Sequence, residues 1–148
     1  VRGQLLRLAW PRAPLARIVW GPRCYLVPRR DGTLLVGATV EEVGFDERAT
    51  VAGVRDLMDA ACEILPDAWR AGFKEARVGL RPATPDGLPV IGRSPGLDGV
   101  LYATGHYRNG VLLAPITAAL VADLVLEGRT DPILDAFSPG RFAADRRR

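Results

Sequence analysis

No stretch constrains the chain more than Val111 to Glu127, which is apolar on nearly every side and closed by Gly128. A helix apolar all round is stable only when protein surrounds it on all sides. A glycine just past its end is the usual stop. The chain has 148 residues. A chain of that size buries roughly 70% of the surface its unfolded form exposes, which is enough for one core. It is not enough to wrap such a helix as well. The helix therefore predicts more protein than is present, and the chain is expected to be a fragment or a processed piece. Pro115, Thr117 and Asp123 interrupt the apolar run, so it is not expected to span a membrane. The opening Val1-Arg2-Gly3-Gln4 carries neither an initiator Met nor a signal sequence, which fits a cytoplasmic fragment.

Composition removes several function classes. The hydrophobic share is 48% and the charged share 25%, which is globular rather than disordered. Of the 20 basic residues only Lys74 is a lysine, and Arg146-Arg147-Arg148 accounts for the whole net charge of +3. Outside that tail no basic cluster suits nucleic acid. The 2 cysteines, Cys24 and Cys62, are too few for a disulfide framework or a zinc site, and both read as buried small hydrophobes. The lone histidine, His106, excludes a two-His metal motif, so no metal site is expected. A dinucleotide fingerprint needs glycines at i, i+2 and i+5, and no two of the 16 glycines are two apart. A phosphate loop needs Gly-Lys-Ser/Thr, and Lys74 follows Phe73.

The period of apolar residues predicts an α+β chain. Gln4 to Leu8, Arg17 to Trp20, Cys24 to Pro28 and Leu34 to Thr39 read as strands of a small antiparallel sheet, with a hairpin at Arg30-Asp31-Gly32-Thr33. Thr50 to Leu65 changes period. Val51, Val54, Leu57, Met58, Ala61, Ile64 and Leu65 share one helical face, Thr50 caps it and Pro66 stops it. Lys74 to Leu80 returns to a strand. A Pro-rich turn over 81–87, two short strands at Leu88 to Ile91 and Gly99 to Ala103, and the polar loop Thr104 to Gly110 lead into the apolar helix. Phe137 and Phe142 suggest a terminal arm that docks by two aromatics.

Two stretches carry a family likeness. Gly79-Leu80-Arg81-Pro82-Ala83-Thr84-Pro85-Asp86-Gly87-Leu88-Pro89-Val90-Ile91-Gly92 and Gly105-His106-Tyr107-Arg108-Asn109-Gly110-Val111-Leu112-Leu113-Ala114-Pro115 resemble the C-terminal half of the glycine oxidase family. These are FAD-dependent oxidases of thiamine biosynthesis, within the wider group of D-amino acid and sarcosine oxidases. Arg2-Gly3-Gln4, Cys24 to Arg29 and Leu35 to Thr39 match in the same order. The resemblance implies that residues 1–80 are the later part of an antiparallel substrate domain. Residues 81–148 would then be the last strand and buried helix of an FAD-binding domain.

The likeness also implies roles. From residue type alone Arg81 suits either a structural ion pair or a carboxylate clamp, since its planar fork binds a carboxylate bidentately. The resemblance favours the clamp, adds the Tyr25 hydroxyl on the same carboxylate, and puts Arg108 on the pocket wall between cofactor and substrate. His106 is expected as a structural residue or flavin neighbour, not as a base, because the amine can arrive neutral; no catalytic side chain is assigned. Asn109, Gly110, Val111 and Leu112 would open the last helix toward the flavin. A helix N-terminus offers unpaired N–H groups and partial positive charge, and Gly110 would let the backbone approach. The implied activity is oxidation of glycine or another small amine to the imine, with dioxygen reduced to hydrogen peroxide. FAD would belong to the intact enzyme, because the glycine fingerprint is absent. The implied partners are a small amino acid substrate and the missing N-terminal half, with no nucleic acid and no membrane. An uncovered helix face also predicts an oligomer. The rival expectation is a truncated, non-catalytic module, or one half of a split flavoprotein that needs a partner chain.

Overall fold

The computed structural model describes residues 1–10 and 15–142, so the Arg146-Arg147-Arg148 tail lies outside the described residues. The chain divides into two compact units, Val1–Leu80 and Arg81–Arg148.

The first unit is a five-stranded sheet with one helix on it. Its strands are β1 (Arg2–Ala9), β2 (Val19–Trp20), β3 (Tyr25–Pro28), β4 (Thr33–Gly37) and β5 (Gly72–Leu80), in the order β2-β3-β4-β1-β5 with every neighbouring pair antiparallel. The expected hairpin joins β3 to β4. Arg29 N–H donates to Thr33 O at 2.8 Å, and Gly32 takes the left-handed φ of 74° that a glycine tolerates. Side chains alternate along β1, so Arg2, Gln4, Leu6 and Leu8 share the inward face and all are buried. Two of those four are polar, which is why the apolar alternation of this strand is weak in the sequence. Leu26, Leu34 and Val36 complete the sheet's buried face.

Helix α1 (Val51–Ile64) covers that face with Leu57, Ala60 and Ala61. Thr50 caps it as expected, its hydroxyl accepting from Gly53 N–H at 3.1 Å. The apolar face differs from expectation at one end. Val51 is 88% exposed, because at 100° per residue it lies about 160° around the helix from Gly53, which is buried. Cys24 is buried, but Cys62 is only half-buried, on the flank of α1.

The inward polar residues of β1 are fully partnered. Gln4 Nε2 donates to Glu41 Oε1 at 2.8 Å and Thr50 Oγ1 at 3.0 Å, and its Oε1 accepts from Thr50 N–H at 2.9 Å. Arg2 pairs with Glu41 (Nη2 to Oε2, 2.5 Å) and Asp46 (Nη1 to Oδ2, 3.0 Å) and donates to Arg48 O at 3.0 Å. These bonds strap the segment 39–50 to the sheet. Burial pushes the Glu41 carboxyl up, but hydrogen bonds from Arg2, Thr39 and Gln4 outweigh it and hold the group below its usual range.

The second unit contains the antiparallel pair β6 (Val90–Arg93) and β7 (Leu101–Thr104), followed by helix α2 (Gly110–Ala122), which runs on through a wider π turn at Asp123–Glu127. Gly128 closes the helix at φ 65°. As expected, the chain does not cover this helix: of α2 only Thr117 is buried, while Val111 is 94% and Leu112 78% exposed. One expectation needs correction: Pro115, Thr117 and Asp123 do not interrupt the run enough to exclude a membrane-spanning length and composition. Gly110–Glu127 is a continuous 18-residue helix of mean hydropathy 1.9, long and apolar enough to cross a bilayer. The central helix of a water-soluble fold has the same character. The terminal arm also differs. Phe137 and Phe142 are half-buried, whereas Leu134 is 3% exposed and is the apolar anchor.

Candidate functional site

In the first unit, Tyr25 opens β3 opposite Gly37 of β4. Its half-buried ring lies across Gly37, where a Cβ would overlap the phenol, and tilts at 45° against Trp20 with centroids 5.1 Å apart. Gly37 is therefore the space the Tyr25 ring needs.

The remaining sequence-predicted residues belong to the second unit, on two neighbouring segments. Arg81 is half-buried at the start of the turn-rich connection that follows β5. His106, Arg108 and Asn109 stand on the loop between β7 and α2, with Arg108 and Asn109 exposed. The backbone brings the segments together. Tyr107 N–H donates to Pro82 O at 2.9 Å, one residue beyond Arg81. Gly105, at φ 78°, sits so close that an added Cβ would lie 2.9 Å from Thr84 Cγ2 and 3.3 Å from Val90 N. Tyr107 itself adopts a φ of 50°, left-handed backbone that favours glycine and persists only where its surroundings hold it.

His106 is tied to α2: its Nε2 lies 3.0 Å from the hydroxyl of Thr117. Both residues line a cleft of about 360 Å³ with Gly110, Ala114 and Val121. The pairing suits a positioning histidine. A base would need its ring nitrogen directed at a substrate proton.

The helix begins at Gly110, one residue earlier than the pattern predicts. Asn109 N–H donates to His106 O at 2.9 Å, but the Asn109 side chain makes no capping bond. The first backbone bond of the helix runs from Leu113 N–H to Asn109 O at 2.8 Å. The N–H groups of Gly110, Val111 and Leu112 therefore precede the intrahelical ladder. No acidic side chain occupies the first turn. Among the described residues nothing requires glycine at 110, since an added Cβ would meet only His106 Cβ at 3.8 Å. Uncapped donors, a missing side chain and partial positive charge together fit the electron-rich edge of a planar cofactor such as FAD. The residues present thus suit that one edge.

Several contributors escape residue-pattern reasoning. Thr117 reads as a break in an apolar run, although a hydroxyl inside such a helix does signal a partner, here His106. Tyr107 carries no signal, because only its φ and its bond to Pro82 make it matter. Arg141 and Asp86 are 55 residues apart and gave none either.

Known proteins give this geometry a family. The pattern described as FAD dependent oxidoreductase matches residues 1–124. The chain belongs to that family. Among relatives of this FAD-dependent oxidoreductase chain, the bifunctional protein ThiO/ThiG of Synechocystis sp. is 45% identical over 147 residues, covering 96% of this chain and 22% of that protein. The glycine oxidase of Pseudomonas aeruginosa is 42% identical over 135 residues, covering 91% of this chain and 36% of that enzyme. The crystal structure of glycine oxidase from Geobacillus kaustophilus superposes with a TM-score of 0.84 at 40% identity, over 93% of this chain and 37% of that one. The chain therefore spans well under half the length of these relatives.

Proposed function

We propose that the chain is the C-terminal portion of an FAD-dependent oxidase that converts glycine or another small amino acid to its imine while dioxygen becomes hydrogen peroxide, in a thiamine-linked setting. The observation that carries this is the juxtaposition in the second unit: the Arg81 turn is hydrogen-bonded to the loop bearing His106 and Arg108, which leads into an uncapped helix end. The similarity to glycine oxidases and to ThiO/ThiG proteins supports the same reaction. FAD, when bound, supplies the two-electron acceptor.

The chain's own residues bind and orient. Arg81 clamps the substrate carboxylate with its guanidinium fork, and Arg108 closes the pocket wall. Tyr25, in the first unit, is assigned to the same carboxylate on the sequence resemblance alone. Carboxylate capture aims the α-carbon, which is most of what such chemistry asks of the protein. Gly110, Val111 and Leu112 present N–H groups that favour charge gathering on the cofactor, in the manner of an oxyanion site. Asn109 carries the chain into that helix end, and His106 braces the loop against Thr117. No side chain is assigned as a base. Residues 1–80 serve as the substrate-domain part and residues 81–148 as the end of the FAD domain.

The test joins this chain to the preceding portion of a glycine oxidase and supplies glycine, sarcosine and D-proline in turn. Flavin bleaching with peroxide release is expected. Failure with all three removes the substrate assignment.

A second reading is favoured by the exposed α2 and the absent dinucleotide fingerprint: the 148 residues alone are not a catalyst and need a partner chain. The absorption spectrum of the purified chain decides it. A bound-flavin band would contradict this reading.

A further inference from the structure

We propose that Arg141 and Asp86 are positioning residues for the proposed reaction: their ion pair latches the segment Pro139–Phe142 onto the turn 84–88, and through it holds Arg81 and Arg108 in register. The proposal rests on the assignment of those two arginines to the substrate.

Every nitrogen of the Arg141 guanidinium is engaged. Nε donates to Asp86 Oδ2 at 2.7 Å, and Nη2 donates to Asp86 Oδ1 at 3.2 Å and to Leu88 O at 2.9 Å. Nη1 turns back to its own segment, reaching Phe137 O at 2.9 Å and Ser138 O at 3.1 Å. The Phe142 ring packs on the fork, 4.3 Å from its centre. An exposed surface ion pair contributes little. This one is bidentate, and only 17% of the arginine side chain is exposed. It also donates to three carbonyls, those of Leu88, Phe137 and Ser138.

The grip lands on a turn built to transmit it. Gly87 N–H donates to Thr84 O at 3.1 Å, Leu88 N–H to Asp86 Oδ1 at 3.1 Å, and the Thr84 hydroxyl to the same Leu88 carbonyl that Arg141 holds, at 2.7 Å. Thr84 in turn abuts Gly105, and Pro82 O accepts from Tyr107 N–H. Those two contacts stand within three residues of Arg81 on one side and of Arg108 on the other. Tyr107, at a left-handed φ of 50°, has its N–H bonded to that facing segment at Pro82 O. One side chain therefore sets two segments that come from distant parts of the chain.

Two measurements test this. Amide hydrogen exchange is followed on the 148-residue chain carrying Arg141→Lys, which keeps the charge but loses the fork, or Asp86→Asn. Exchange at Tyr107 and Gly87 is expected to accelerate about tenfold or more, with Leu6 and Val36 in the first unit and Val121 in α2 unaffected. Unchanged exchange at Tyr107, or equal acceleration throughout the second unit, overturns the proposal. In the joined enzyme, Arg141→Lys is expected to raise KM for glycine about fivefold with kcat within about twofold, and to weaken a competing small carboxylate equally. Arg81→Ala separates the two possible failures. An unchanged KM there removes Arg81 from the substrate, and with it the purpose of the latch. A raised KM there beside an unchanged KM in Arg141→Lys overturns the latch alone.

Discussion

Gly53 stands on the buried face of α1 against the amide of Gln4, and replacing it by alanine sets two effects against each other. Alanine in place of glycine favours the helix by up to about 1 kcal/mol. The added methyl, however, would occupy the place of the Gln4 amide, the nearest neighbour of a Cβ at that position. A flexible side chain usually moves aside cheaply, but Gln4 is fully buried and bonded to Glu41, to the Thr50 hydroxyl and to Thr50 N–H. Displacing it forfeits one bond to a charged group, about 1.5–3 kcal/mol, and two neutral ones, about 0.5–1.5 kcal/mol each. Even the low end, about 2.5 kcal/mol, exceeds the helix gain, so Gly53→Ala is expected to destabilise the first unit by about 1.5 kcal/mol or more. In a Gln4→Ala background the space is vacant and the same change is expected to stabilise. The reversal of sign is the signature of direct coupling. Urea unfolding followed by tryptophan fluorescence reads it cleanly, because all 3 tryptophans, Trp10, Trp20 and Trp69, belong to the first unit. If Gly53→Ala stabilises both backgrounds by the same amount, the Gln4 amide does not press on Gly53 and the reasoning fails.

Further outcomes follow from the same structure. In the joined enzyme, Arg81→Ala is expected to raise KM for glycine roughly 10- to 100-fold, the loss of one charge-assisted bidentate contact; an unchanged KM removes Arg81 from the clamp. Arg48 holds the Asp46 carboxyl well below its usual range, first through its side chain and then through its backbone N–H, and Glu41 is depressed as described. Depressed carboxyls stabilise above their unfolded values, so the urea midpoint should be flat from about pH 7 to 5 and fall below about pH 4. A midpoint constant down to pH 3 would refute this, and Glu41→Gln should shallow the fall. The exposed α2 predicts that the purified chain elutes as a dimer or larger. Val111→Glu with Leu126→Glu should shift it toward monomer by light scattering, and a monomeric parent would refute the expectation.

How much of this was legible in the residues depends on the range of each interaction. The strands, the β3–β4 hairpin, the Thr50 cap and the Gly128 stop were legible because each rests on local spacing or on one residue's backbone preference. The strong periodicity of α1 placed that helix and most of its buried stripe, Val54 to Leu65, but not the stripe's first end. The stripe follows the sheet and Gln4, so Val51 turned outward. The first strand looked weak because Arg2 and Gln4 take core positions, and their partners Glu41, Asp46 and Thr50 are 37 or more residues away along the chain. Of the candidate site, the residue types were legible: an arginine at a strand end, a polar loop, and a glycine opening a helix.

What the sequence alone determined is therefore the alphabet of elements, the family likeness and the demand of Val111 to Glu127 for surrounding protein. Those depend on periodicity and residue type, which one chain carries in full. Only the tertiary structure decided that the Arg81 turn meets the His106–Arg108 loop through the bond from Tyr107 N–H to Pro82 O, that Thr117 answers His106, and that Arg141 grips Asp86. Each joins positions whose separation along the chain says nothing of their distance in space. Nothing in a residue pattern selects one partner among many until the backbone brings it within about 3 Å, where hydrogen bonds form.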